Sequence, residues 1–148
     1  MPVGEQLLKC EFIMGKPSSP PLKTVLLVDD EHDVRVVTKW FLASFGYVVE
    51  SVRSAEEALA LFNPRIHDLV ITDNSMPGMT GAEMAHVIKL RSPSTPVLMH
   101  TGEPPEDRSG LDAVVQRPVH LLTLKETAER LLAGSSCLPV RTPETEGG

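Results

Sequence analysis

The chain has 148 residues, 41% of them apolar and 23% charged, enough for one folded domain with two flanks and too few for two domains joined by a linker. No apolar run approaches the roughly eighteen residues that span a bilayer, and no basic stretch with an apolar core and cleavage site opens the chain, so the expected location is the cytoplasm. The formal net charge of −6 argues against a protein held to nucleic acid by counterion release or to an acidic membrane surface.

Residues 1–22 read as a flexible flank, because PSSPP from Pro17 to Pro21 favours extended backbone and ends any preceding helix. Met14 opens MGKPSSPPLK just ahead of the first strand, and residues 1–13 are read as a matter of where translation starts, not as a functional element. Thr24 to Val28 (TVLLV) is a short apolar run suited to a strand buried on both faces. A helix follows, with Val34, Val37, Phe41 and Phe45 predicted on its inward stripe and Gly46 as its stop. Tyr47 to Val52 (YVVESV) alternates like an edge strand. Ser54 caps a second helix, SAEEALALF, with Glu57 as the reciprocal capping-box partner and Asn63-Pro64 as the end.

Leu69 to Thr72 (LVIT) is a second doubly buried run. Thr80 precedes a third helix, GAEMAHVIKLR, and Val97 to His100 (VLMH) and Ala113 to Gln116 (AVVQ) supply two more strands. The 16 positions from Thr101 to Arg117 include GEPPEDRSGLD, whose adjacent prolines and weak periodicity leave no room for a full helix. HLLTLKETAERLL closes the domain with Leu121, Leu124, Ala128 and Leu131 on one face. Residues 135–148 are polar, rich in Pro and Gly, and read as a disordered tail. Cys10 and Cys137 fall in the two flanks and form neither a disulfide framework nor a metal motif. The alternation predicts an α/β domain over residues 23–134, with a five-stranded parallel sheet wound on both faces.

In an open parallel sheet, reactive groups gather in the crevice beyond the carboxyl ends of the strands. Asp29 and Asp30 stand just past the first strand, Asp73 past the third, Thr101 past the fourth and Arg117 past the fifth. Three carboxylates packed together require a cation, and oxygen ligands of this kind select a hard divalent ion such as Mg²⁺. An aspartate beside Mg²⁺, a hydroxyl and a guanidinium can attack phosphorus, since the cations neutralise the transferring oxygens.

These residues resemble the receiver domains of two-component response regulators. The pieces that carry the resemblance are VLLVDDE, DNSMPGMTG from Asp73 to Gly81, HTG with Thr101, and Arg117-Pro118 where the family usually has Lys-Pro. The first two are specific together: D-x-x-M-P-x-x-x-G after one buried strand lies 43 positions beyond an acidic pair after another. The resemblance implies a flavodoxin-like sheet of strand order 2-1-3-4-5 and phosphorylation of Asp73 by a histidine kinase or histidine phosphotransfer protein. Mg²⁺ would be held by Asp29, Asp30, Asp73 and the backbone carbonyl of Ser75. Thr101 would hydrogen-bond the phosphoryl oxygens, Arg117 would neutralise them, and Arg117-Pro118 is a candidate cis bond. The protein is then a phosphoacceptor relaying a signal by phosphotransfer or partner binding, and not a multiple-turnover enzyme.

The sequence departs from that family in three places. Arg117 is longer, planar and forked where a compact ammonium is usual. Val114 stands where a gating Tyr or Phe is common, and the fourth of the family's helices is short or absent, as in a stand-alone subgroup with a Thr-Gly after the fourth strand. The loop that replaces it is expected to be the moving element, ordered by phosphate. Val36, Trp40 and Ala43 are predicted to face outward from the first helix and to dock a kinase helical bundle or a second copy of the chain. His32 lies near the acidic pocket, whereas His67, His86, His100 and His120 show no ligand spacing, and His100 reads as a hydrogen-bonded core residue. Two other readings remain open: a receiver-like interaction module that is not phosphorylated, and a Mg²⁺-dependent phosphohydrolase, for which Ser75 stands where a second acid would be needed.

Overall fold

The computed structural model describes residues 22–118 and 120–133; the expected tail and all of the expected flank but Leu22 lie outside them. Its elements are β1 (Thr24–Val28), α1 (His32–Ser44), β2 (Val48–Val52), α2 (Ala55–Leu61), β3 (Leu69–Thr72), α3 (Gly81–Arg91), β4 (Val97–Thr101), β5 (Ala113–Gln116) and α4 (Leu121–Leu132). The sheet order is β2-β1-β3-β4-β5, and every pairing is parallel, as expected.

Side chains alternate across each strand, so one apolar run serves two cores. Leu26, Val28 and Val70 pack with Ala55 and Ala58 of α2 and with Met84, Ala85 and Ile88 of α3. Val25, Leu27, Leu69, Ile71 and Leu98 face the other way, against Leu42 of α1 and Leu124 and Ala128 of α4. Each fully buried Leu, Ile or Val contributes about 1.5–3 kcal/mol. Between them the two cores fix the strand register that sets the rim of the sheet. β2 is one of the two edges, and its alternation appears as an exposed Val48 beside a buried Val49.

The inward face of α1 differs from the expected stripe. Thr38 and Leu42 are its buried residues, whereas Val37 is 52% and Phe45 48% exposed. At about 100° per residue the buried centre lies roughly 60° beyond Val34, which puts Val37 well off it. Thr38 is buried there although it carries a hydroxyl, and Phe45 lies beyond the last helical turn. The α2 cap is also only half as expected: Ser54 accepts from the Glu57 N–H at 3.1 Å, but Glu57 accepts from the Arg53 N–H at 3.3 Å and not from Ser54. The complete capping box belongs to α3, between Thr80 and Glu83. Two strand ends shift by one residue, with β2 opening at Val48 and β4 running through Thr101.

No helix separates β4 from β5 among the described residues. The connection folds onto α3 instead. A Cβ on Gly110 would sit 3.2 Å from the His86 nitrogen, and Asp107 approaches His86 Nε2 at 3.5 Å. Asp112 ends the loop by accepting from the Val97 N–H at 2.7 Å and from Lys89 Nζ at 2.6 Å.

Candidate functional site

The carboxyl ends of β1, β3, β4 and β5 deliver the chemistry to one rim. Asp29 follows β1 and is only 3% exposed; its Oδ1 accepts from the Glu31 N–H at 2.9 Å. Asp73 follows β3 at 5% exposure, and its Oδ1 accepts from the Asn74 N–H at 2.7 Å. Its carbonyl accepts from Thr72 Oγ1 at 2.7 Å. A Cβ on Gly81 would lie 2.0 Å from that same carbonyl oxygen, so only glycine permits the start of α3 to approach the acid this closely. Gly78 turns the preceding loop at φ 80, and Met76 buries its side chain in the core beneath it.

Asp29, Asp30 and Asp73 each offer a ligand atom within 4.8 Å of the other two. Arg117 reaches across them: its Nη2 lies 3.1 Å from Asp73 Oδ1, and its Nη1 lies 3.8 Å from Asp29 and 3.9 Å from Glu31. The peptide bond from Arg117 to Pro118 is cis. Thr101 is buried at the floor, with its Oγ1 accepting from the Glu103 N–H at 3.1 Å. A cleft of about 260 Å³ joins Asp30, Asp73, Ser75, Thr101 and Arg117, together with Glu31 and Glu103. Every residue expected for the chemistry therefore meets at one place, Asp29 lying just beneath the others.

Electrostatics in the rim favour a bound cation. Burial, with Asp73 nearby, pushes the Asp29 carboxyl up to about 6, against the pull of the Glu31 N–H and Arg117. Five carboxylates, counting Glu31 and Glu103, gather at the rim with one guanidinium. Hard oxygen donors that are unfavourable when ionised in each other's company suit a divalent ion of the Mg²⁺ type, so the residues present fit that ion. Arg117 competes for the same acids, and its Nε is buried without a hydrogen-bond partner among the described residues. Among the described residues its ion pairs are those to Asp29, Glu31 and Asp73.

The other sequence candidates fall elsewhere. Val36 is 48% and Trp40 72% exposed, Ala43 is exposed beside them, and Val37 adds to the same surface. His100 is buried in β4, but its Nε2 has no hydrogen-bond partner among the described residues, contrary to the expectation of a hydrogen-bonded core histidine. Burial, reinforced by the Arg117 charge, lowers its pKa to about 4, which keeps it neutral beside the site. His67 is structural: its Nδ1 accepts from the Asn63 N–H at 3.0 Å, which leaves Nε2–H to donate to Glu50 at 2.6 Å. Sequence reasoning missed Glu31 and Glu103. The first was visible as the third acid of VLLVDDE; for the second, two places after Thr101, only the fold shows that the chain turns back over the cleft.

Comparison with known proteins agrees with the geometry. The response regulator receiver domain family matches residues 25–132. The response regulator RppA of Synechocystis is 34% identical over 124 residues, 81% of this chain and 52% of RppA. The response regulator PilR of Pseudomonas aeruginosa is 31% identical over 127 residues, 82% of this chain and 27% of PilR. The chain thus spans about a quarter to a half of these relatives' lengths. Among solved structures, TrrA of Thermotoga maritima in complex with Mg²⁺-BeF superposes with a TM-score of 0.70 at 31% identity, covering 74% of this chain and 99% of TrrA. TrrA in complex with the histidine kinase ThkA gives 0.69 at 31% identity, covering 75% of this chain and 99% of TrrA. Among the described residues, no helix is long and apolar enough to cross a membrane.

Proposed function

The chain belongs to the response regulator receiver family, and from that premise we propose that it accepts a phosphoryl group on Asp73 from a histidine kinase or histidine phosphotransfer protein in the cytoplasm. The observation that carries this reading is the convergence of three acids within 4.8 Å of one another with a guanidinium 3.1 Å from Asp73. One Asp73 oxygen is held by Asn74 and Arg117, while the other has no hydrogen bond among the described residues. The free oxygen forms the new P–O bond as the P–N bond of the phosphohistidine breaks, the electron pair leaving with the imidazole nitrogen. Thr101 donates its hydroxyl proton to a phosphoryl oxygen, and Arg117 swings its fork from carboxylate to phosphoryl. Mg²⁺, held by Asp29, Asp30 and Asp73 with the Ser75 carbonyl, would supply the positive charge that neutralises the transferring group.

TrrA was solved with its kinase ThkA, and for this chain the exposed Val36, Trp40 and Ala43 offer an apolar strip beside the acidic rim for a helical partner. Trp40→Ala should slow phosphotransfer from a kinase while leaving loading from acetyl phosphate unchanged; equal slowing from both donors would remove the strip from the account. The phosphoacceptor reading itself is tested with beryllofluoride and Mg²⁺. Amide resonances around Asp73 and Thr101 should shift, and Asp73→Asn should abolish the shift. An unchanged spectrum would favour the second reading, an unphosphorylated interaction module, which the occupation of the pocket by Arg117 supports.

A further inference from the structure

The mouth of the cleft carries a contact that the phosphoryl chemistry does not use. Glu103 Oε1 accepts from Ser75 Oγ at 2.6 Å, and the Glu103 carbonyl accepts from Asn74 Nδ2 at 3.3 Å. These two bonds tie the start of the β4–β5 loop to the β3–α3 loop across the opening above Asp73. Local geometry puts the acid there. Gly102 has open space around it, the Glu103 N–H returns to Thr101 Oγ1, and Pro104 and Pro105 stiffen the chain that follows. The turn therefore aims a carboxylate over a site that receives an anion. It also consumes an acceptor position of Thr101, leaving the hydroxyl proton free to point inward.

We propose that the Glu103–Ser75 contact is a latch on the phosphoacceptor cleft, closed while Asp73 is unmodified and opened by the phosphoryl group. The proposal rests on the reading of Asp73 as the phosphoacceptor. Two anions at one rim repel, and the repulsion acts equally in both directions. Seen from the donor, Glu103 slows the approach of an anionic phosphoryl compound. Seen from the loop, a phosphoryl group on Asp73 expels the carboxylate, breaks the bond to Ser75 and frees residues 102–106, up to the contacts that Asp107 and Gly110 make with α3. The β4–β5 connection stands in place of a helix and is held beyond that segment by Asp107 and Gly110 against α3 and by Asp112, so release at Glu103 moves the start of the loop and leaves β5 in place. Arrival of phosphate is thereby converted into a change at the surface over α3.

The test uses acetyl phosphate and beryllofluoride at saturating Mg²⁺, on wild type and three variants. Glu103→Gln keeps an acceptor for Ser75 and removes the charge; Glu103→Ala removes both; Ser75→Ala frees the carboxylate. At low ionic strength, loading from acetyl phosphate should be about three- to tenfold faster in both Glu103 variants. Added salt should speed the wild type more than Glu103→Gln, a difference that a merely structural contact would not produce. Ser75→Ala should also load faster, and combining it with Glu103→Ala should add nothing. Without metal or donor, the Asn74, Gly102 and Glu103 amides of Glu103→Ala should shift toward their positions in beryllofluoride-saturated wild type. Wild-type loading rates with wild-type salt dependence in Glu103→Gln, or unmoved loop amides in saturated wild type, would overturn the latch and leave the phosphoacceptor reading intact. A wild type that takes neither acetyl phosphate nor beryllofluoride would overturn that reading and the latch with it.

Discussion

Replacing Asp29 with asparagine should make the metal-free protein more stable. Asp29 is buried at 3% exposure, and its carboxyl is raised from 3.8 to about 6, chiefly by burial. A carboxyl whose folded pKa lies above its unfolded value opposes folding when ionised. The cost is complete above pH 6, shrinks as pH falls through 6 and vanishes below 3.8. A rise of this size corresponds to about 3 kcal/mol at neutral pH, and asparagine removes that cost while keeping an oxygen for the Glu31 N–H. Urea unfolding in EDTA at pH 7.5 should therefore show a gain of about 1–3 kcal/mol for Asp29→Asn, falling to about a third of that at pH 4.5. Mg²⁺ should offset this advantage. At one hundred times its dissociation constant it stabilises the wild type by about 2.7 kcal/mol, and the variant, lacking a ligand, should gain little. A variant no more stable than wild type at pH 7.5 in EDTA, with an unchanged pH profile, would refute the idea that the acids are mutually unfavourable without a cation.

Three further substitutions follow from the same geometry. Arg117→Ala removes the cation that shares the acids with Mg²⁺; calorimetry should show Mg²⁺ affinity rising roughly tenfold, while loading from acetyl phosphate falls. Gly81→Ala forces a Cβ to within 2.0 Å of the Asp73 carbonyl, and should cost about 1–3 kcal/mol and abolish the beryllofluoride-induced shifts; unaffected binding would mean that the α3 start does not position Asp73. His67→Ala leaves the Asn63 N–H without its partner, empties the space stacked on Phe62 and unpins Glu50 on the edge strand. Urea unfolding should register a loss of about 2–4 kcal/mol, with phosphoryl loading unchanged under native conditions.

Most of the architecture was legible because doubly buried parallel strands leave an unambiguous trace: TVLLV, LVIT and VLMH admit no solvent-facing alternation, and each ends where chemistry begins. The acids were legible for the same reason, since a strand's last residue and the rim of the sheet are one place. What escaped depended on packing and hydrogen-bond choice. Thr38 is buried in α1 although its hydroxyl marks it as polar, so the helix face was misjudged by about 60°. Glu57 had two donors within reach and took the Arg53 N–H. His100 carries no sequence signal that its Nε2 would go unpaired, and Glu103 becomes part of the cleft only after the Thr101 turn reverses the chain.

The most direct test of the central claim is mass spectrometry of the chain after exposure to acetyl phosphate with Mg²⁺ and with EDTA, followed by peptide mapping. One phosphoryl group on the peptide containing Asp73, present with Mg²⁺ and absent with EDTA or in Asp73→Asn, is the predicted result. Phosphorylation that persists in Asp73→Asn, or none in the wild type with Mg²⁺, would contradict it.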